Sequence, residues 1–248
     1  MTLLLLAGTR EAADIAKALA AKGISAVASL AGATRAPKPL PLETRSGGFG
    51  GAEGFADYLR RHAITAVLDA THPFAARISA RSLAVCADMR IPYAQVLRPP
   101  WQAGEGDNWT QLVDEAQAAD HVPRGAVVFL ATGRQTLERF APLAQKECTL
   151  ICRQIDPPQG AFPFPKGDFL VGRPPFSVED EIALFQLLGV DWLIVKNAGG
   201  EAPRSKLEAA RVLGLPVGMI ARPAPLDCTR FDTIAPAIAW AEAGGKIQ

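Results

Sequence analysis

Apolar residues in this chain gather into short runs that stop at glycine or polar turns and resume with helical spacing. Leu3-Leu4-Leu5-Leu6 is one such run, ended by Ala7-Gly8-Thr9-Arg10. A continuous run, as opposed to an alternating one, marks a strand covered on both faces, as in a parallel sheet. The pattern then predicts an alanine-rich helix over Glu11–Lys22, stopped by Gly23. Strands are predicted at Ser25–Leu30, Ala66–Leu68 and Tyr93–Leu97, separated by helices at Ala52–His62 and Phe74–Met89.

Arg98-Pro99-Pro100-Trp101 and the polar stretch Gly104-Glu105-Gly106-Asp107-Asn108 interrupt this rhythm and read as a linker or domain edge. Beyond it the pattern predicts helices over Thr110–Ala119, Val178–Leu188, Ser205–Leu213 and Ile234–Ala243. It predicts strands over Ala126–Leu130, Thr149–Gln154, Trp192–Val195 and Val217–Ile220. Residues 157–173, rich in Pro, Gly and Phe, are expected to form a loop near a cleft. Strand–helix alternation of this kind gives an α/β fold. The expectation is two Rossmann-like domains with parallel sheets and an interdomain cleft, divided as residues 1–98 and 99–248.

Composition narrows the partners. The chain has 248 residues, 49% hydrophobic and 21% charged, the balance of a folded globular protein. Its formal net charge of +1 gives no general reason to expect nucleic acid or an acidic membrane, so an anionic ligand must be met by local basic residues. The Leu3–Leu6 run is too short for a membrane span or a signal-peptide core, and the cytoplasm is the expected compartment. Cys148 and Cys152 on a strand would stand about 13 Å apart, beyond disulfide reach. With Cys86 and Cys228 they make no metal-ligand pattern, and no metal is expected.

The turn Gly8-Thr9-Arg10-Glu11 joins a strand to a helix N-terminus, whose unpaired amides and partial positive charge suit an anion. One glycine is a weak fingerprint by itself. NAD-binding domains of this type carry an acid about 20 residues beyond the turn. Here that place falls near Ser29, and no Asp or Glu occurs between Asp14 and Glu43. Arg35 and Lys38 follow the second strand; they read equally as partners of a ribose 2′-phosphate or as ordinary loop charges. Ser46-Gly47-Gly48-Phe49-Gly50-Gly51 is the densest glycine cluster and lies before a helix, where its amides can turn toward phosphate. Thr71-His72-Pro73 follows the Ala66–Leu68 strand at the carboxyl end of the sheet. His72 is expected to contact the cofactor, with proton donation as its second reading.

In the second half, Thr132-Gly133-Arg134 and Lys196-Asn197-Ala198-Gly199-Gly200 each follow a strand and look like anion-binding turns. Arg153, Arg173, Lys206 and Arg222 add positive charge, which suggests a multiply anionic ligand if they converge and scattered surface charge if they do not. The two tyrosines, Tyr58 and Tyr93, are followed four residues later by His62 and Leu97, so the Tyr-x-x-x-Lys pair of short-chain dehydrogenases is missing. No nucleophile elbow and no Gly-Lys-Ser/Thr phosphate loop is present.

Taken in order, Leu5-Leu6-Ala7-Gly8-Thr9-Arg10-Glu11-Ala12, Ser46-Gly47-Gly48-Phe49-Gly50, Asp69-Ala70-Thr71-His72-Pro73-Phe74-Ala75 with Ile78-Ser79, Thr132-Gly133-Arg134, Lys196-Asn197-Ala198-Gly199-Gly200, Lys206-Leu207-Glu208-Ala209-Ala210 and Leu215-Pro216-Val217 through Arg222-Pro223 resemble the precorrin-6A reductases of cobalamin biosynthesis. Ala198 departs from the serine that this family often has. The resemblance implies NADPH on the N-terminal domain, held by Gly8, Thr9, Arg10, Glu11, Arg35, Ser46, Gly47, Gly48, Phe49, Gly50, Thr71, His72 and Pro73. It implies a tetrapyrrole polycarboxylate in the cleft, met by Thr132, Gly133, Arg134, Arg153, Lys196, Asn197, Gly199, Gly200 and Arg222. The implied reaction is reduction of one carbon–carbon double bond of precorrin-6A to give precorrin-6B. No nucleic acid or membrane partner is expected; transient contacts with neighbouring pathway enzymes are. Two other readings stand beside it: a reductase of the cobalt-containing equivalent, and a non-catalytic NADP-binding redox sensor.

Overall fold

The computed structural model describes residues 2–32, 38–201 and 203–246. Arg35 lies outside the described residues. The chain folds as two units, Met1–Pro99 together with Pro223–Gln248, and Pro100–Arg222.

In the first unit the order is β1 (Thr2–Leu6), α1 (Arg10–Ala21), β2 (Ala26–Leu30), β3 (Glu43–Ser46), α2 (Gly51–Arg61), β4 (Ile64–Asp69), α3 (Ala76–Met89) and β5 (Tyr93–Val96). The leucine run behaves as a doubly covered strand. Leu3 and Leu5 enter one buried cluster with Ile15, Leu19 and Trp240, and Leu4 and Leu6 enter the cluster on the opposite face with Phe55, Leu59 and Val85. All strands run parallel, and the sheet is closed at one edge by β12 (Thr229–Phe231). Its order, β3-β2-β1-β4-β5-β12, reverses direction between β1 and β4. Open α/β sheets bind ligands outside the carboxyl ends of the strands at such a reversal.

The second unit holds β6 (Trp109–Leu112), α4 (Ala118–His121), β7 (Val127–Ala131), a 3-10 helix over Arg134–Phe140, α5 (Ala141–Gln145), β8 (Thr149–Gln154), β9 (Gly167–Val171), α6 (Val178–Leu188), β10 (Trp192–Lys196), α7 (Ser205–Leu213) and β11 (Val217–Ile220). Its parallel sheet runs β9-β8-β7-β10-β11-β6 and reverses between β7 and β10. The two sheets share one plan. They differ in the source of the last strand, which arrives from after the unit's other strands in the first and from before them in the second.

That exchange corrects the predicted boundary at the C-terminus. Residues 223–248 belong with the first unit: Thr229 and Phe231 register with Ala94 and Val96 of β5. Helix α8 (Ile234–Glu242) buries Ala237, Trp240 and Ala241 in the cluster that contains Leu3 and Leu5. The predicted helix over Thr110–Ala119 is also replaced. Trp109–Leu112 pairs with β11, and the Asp114 and Gln117 side chains take the Gln117 and Val113 amides, making a turn where a helix would need those groups. The stretch expected to be a loop over 157–173 contains β9, an edge strand beside β8.

Candidate active site

At the reversal in the first sheet, the ends of β1 and β4 are tied together by Thr9. Its hydroxyl accepts the Ala12 amide at 3.1 Å, capping α1, and donates to the Ala70 carbonyl at 2.7 Å. The Ala70 amide in turn reaches the Leu6 carbonyl at 2.9 Å. Thr9 therefore builds the turn, and its proton is directed into the protein. Gly8 has φ +134°, and a Cβ there would have nothing within 4 Å, so the backbone offers an open approach to the N-terminus of α1. Arg10 is exposed beside Asp14, whereas Glu11 pairs with the shielded Arg98 at 2.7 Å.

The turn after β4 rests on a buried carboxylate. Asp69 is fully buried and accepts the Thr71 amide at 2.9 Å, the Thr71 hydroxyl at 2.7 Å and the Tyr93 hydroxyl at 2.7 Å. Burial, with the adjacent Asp69 charge, raises the Tyr93 phenol far above its ordinary range and keeps it a hydrogen-bond donor. Next in the turn, the His72 Nδ1 accepts the Phe74 amide at 3.2 Å, which places the proton of the neutral ring on Nε2.

The glycine loop sits against the end of β2. A Cβ on Gly32 would meet Ser46 Oγ at 3.4 Å and the Gly47 amide nitrogen at 3.6 Å. Arg45, at the end of β3, donates to Ser29 Oγ at 2.8 Å and to the carbonyls of Gly47 and Gly48 at 2.9 Å each. Its guanidinium lies 4.0 Å from the Phe49 ring centroid and 5.3 Å from that of Tyr58. Nothing in the sequence pattern sets Arg45 apart from other loop charges, because the signal is the direction of its side chain. Lys38 is exposed.

In the second unit Lys196 stands at the end of β10. Its Nζ donates to the Thr132 carbonyl at 3.3 Å and to Thr136 Oγ1 at 3.0 Å, and lies 3.4 Å from the buried Glu115 carboxylate. Burial works to raise the Glu115 carboxyl, but hydrogen bonding from Thr136 and the Lys196 charge outweigh it and hold the group below its usual range. Burial likewise lowers the Lys196 ammonium against the pull of Glu115. Arg134 is exposed at the start of the 3-10 helix, just after Gly133.

Several other predicted ligand contacts also make hydrogen bonds or ion pairs within the protein. Asn197 is buried, with its amide bonded to both the Trp101 amide and the Trp101 carbonyl. The Gly200 carbonyl accepts the Trp101 indole at 2.8 Å, and Gly199 has φ +66°. Arg222 donates to the Asn197 and Ala198 carbonyls at 2.7 and 2.9 Å. Arg153 lies on the opposite face of the sheet from Lys196: its guanidinium makes a two-pronged pair with buried Glu181 at 2.7 and 2.6 Å and stacks on Phe129 and Phe176. The basic residues of this unit thus divide between the two sheet faces, and Arg153 is neutralised within the core.

Burial pushes the Cys86 thiol up to about 12 and the Cys152 thiol to about 11, so neither is a ready nucleophile. Among the described residues no group of three His, Cys, Asp or Glu side chains could hold a metal, and no helix is long and apolar enough to cross a membrane.

Comparison with known proteins adds an independent line. Residues 2–242 match the model of the family described as precorrin-6x reductase CbiJ/CobK. A precorrin-6A reductase of Rhodobacter capsulatus is 46% identical over 90% of this chain and 88% of its own length. One from Rhodococcus erythropolis is 45% identical over 96% of each. A solved structure titled CobK precorrin-6A reductase superposes with a TM-score of 0.93 at 42% identity, covering 99% of this chain and 97% of that one. The chain belongs to the precorrin-6x reductase CbiJ/CobK family.

Proposed function

We propose that this protein reduces one carbon–carbon double bond of precorrin-6A to give precorrin-6B, with NADPH as reductant. The observation that carries the reading is the match over residues 2–242 to a family of precorrin reductases. The first unit fits a dinucleotide: its strand order is the dinucleotide-binding one, and Gly8 leaves the N-terminus of α1 open where a pyrophosphate sits in such folds. NADPH is favoured over NADH because the end of β2 carries Ser29 where an NAD-binding domain carries an acid.

When bound, the nicotinamide would supply a hydride to one carbon of the substrate double bond, and a proton would have to reach the other. The chain's part is chiefly positioning. Thr9 fixes the turn at the reversal, Asp69 and Tyr93 fix the turn that carries His72, and the loop Ser46–Gly50 borders the end of β2. The neutral His72 ring carries its proton on Nε2 in the turn after β4, and the proton delivered to the substrate need not come from it. In the second unit Arg134, exposed just beyond the end of β7, is the cation placed to meet a carboxylate arm of a tetrapyrrole, while Lys196 spends its ammonium on Thr132, Thr136 and Glu115 and holds the neighbouring turn. Arg153 is likewise taken up within the protein, by Glu181.

Turnover of precorrin-6A with NADPH and with NADH, followed by loss of reduced-nicotinamide absorbance, tests the reading. The expected result is oxidation of NADPH matched to substrate consumed, with NADH far slower. Tight NADPH binding without oxidation in the presence of the precorrin would indicate a sensor, and turnover of only the cobalt-loaded substrate would reassign the reaction.

A further inference from the structure

Arg45 occupies the position from which a dinucleotide fold chooses between its two coenzymes. In NAD-binding domains the ribose hydroxyls meet a carboxylate at the end of the second strand. Here that place is Ser29, and Ser29 Oγ accepts the Arg45 guanidinium at 2.8 Å. A cation therefore stands where the acid would be. The same guanidinium holds the carbonyls of Gly47 and Gly48. Neither of the peptides that follow these carbonyls is cis. A trans peptide sets the next N–H opposite to the carbonyl, so the amides of Gly48 and Phe49 both point away from Arg45. Two successive amides turned the same way form a small anion-binding concavity. Among the described residues nothing lies within 4 Å of a Cβ built on Gly47 or Gly48. A guanidinium has five N–H donors, and the three contacts above leave two for a ligand.

We infer that Arg45 is the residue that selects a 2′-phosphorylated dinucleotide, by placing positive charge at the end of β2 and by holding the glycine loop with its amides outward. The inference rests on the reading of a dinucleotide site in the first unit. It adds to Arg35 and Lys38 a residue whose side chain is fixed by three hydrogen bonds and two rings.

Binding of adenosine 2′,5′-bisphosphate and of 5′-AMP to the full chain, measured by calorimetry without substrate, tests this directly. The wild type is expected to prefer the bisphosphate by about 10- to 100-fold, the range of a charge-assisted contact. Arg45→Met is expected to bring the ratio to within about 3-fold, with the bisphosphate weakened much more than AMP, and Arg45→Lys, which keeps charge but not the fork, to fall between. Ser29→Asp, which gives Arg45 a carboxylate partner, is expected to weaken the bisphosphate and spare AMP; it decides the matter if Arg45→Met fails to melt cooperatively. A preference retained in Arg45→Met, or both nucleotides weakened equally, overturns the inference and leaves the NADPH reading standing. A wild type without preference overturns both.

Discussion

Two arginines, Arg45 in the first unit and Arg222 in the second, each hold two successive carbonyls of a glycine-containing turn. Read along the chain, both are simply positive charges near strand ends. In three dimensions much of their hydrogen-bonding capacity is spent on shaping backbone. The same holds for Thr9 and Asn197, whose polar groups are turned to Ala70 and Trp101. The sequence identifies which turns matter because glycine and strand ends leave a pattern. It does not separate a side chain that touches a ligand from one that sets the turn, since that depends on rotamer and on neighbours distant in sequence. Lys206 provides a residue-scale prediction. Burial pushes its ammonium down to about 8, against the pull of Glu181, while in an unfolded chain it titrates at about 10.4. Between these values the unfolded state binds more protons, so stability rises with pH across that window; below about pH 8 the cost of burying the charge is felt in full. Urea denaturation at about pH 7.5 and about pH 10 is expected to show this rise in the wild type and a smaller one in Lys206→Met. Equal changes in the two proteins would show that Lys206 is not the group responsible.

At the scale of elements, strands buried on both faces and helices with a marked stop are legible from pattern alone. Helices α6 and α7 fall on Val178–Leu188 and Ser205–Leu213 as predicted, each followed by a left-handed glycine. Strands β3, β9 and β12 lie at or next to a sheet edge, are short and mostly not buried, and so carry no apolar run to betray them. Pairing with a neighbour defines them. The glycine loop is likewise set by its packing on α2. A Cβ on Gly54 would come within 1.8 Å of the Phe49 carbonyl oxygen. The Phe49 ring also packs edge-on against Phe55 and Tyr58, both on α2. Gly54→Ala must therefore push the loop off the helix. The expected result is a loss of about 1–3 kcal/mol in stability, the range of overpacking, together with weaker NADPH binding. Wild-type stability and affinity in this variant would show that the loop geometry is not held from α2.

At the scale of the whole molecule, the α/β class, the parallel sheets and the break near Pro99 were readable from the alternation of strand and helix signals. The allotment of the last 26 residues to the first unit was not. A strand pattern states that a segment needs a sheet, and it is silent on which of two similar sheets receives it. Both sheets follow the same order and reverse once, which places one crevice at the carboxyl ends of β1 and β4 and another at those of β7 and β10. In the proposed reaction the first would hold the reductant and the second the carboxylate arms of the macrocycle. The most direct test of that central claim is to supply NADPH carrying deuterium at the transferring carbon of the nicotinamide, with metal-free precorrin-6A, and to determine the mass of the product. The predicted result is one deuterium retained on a macrocycle carbon for each NADP+ formed. Reduced macrocycle without deuterium, or NADPH oxidised with the precorrin left unchanged, would contradict it.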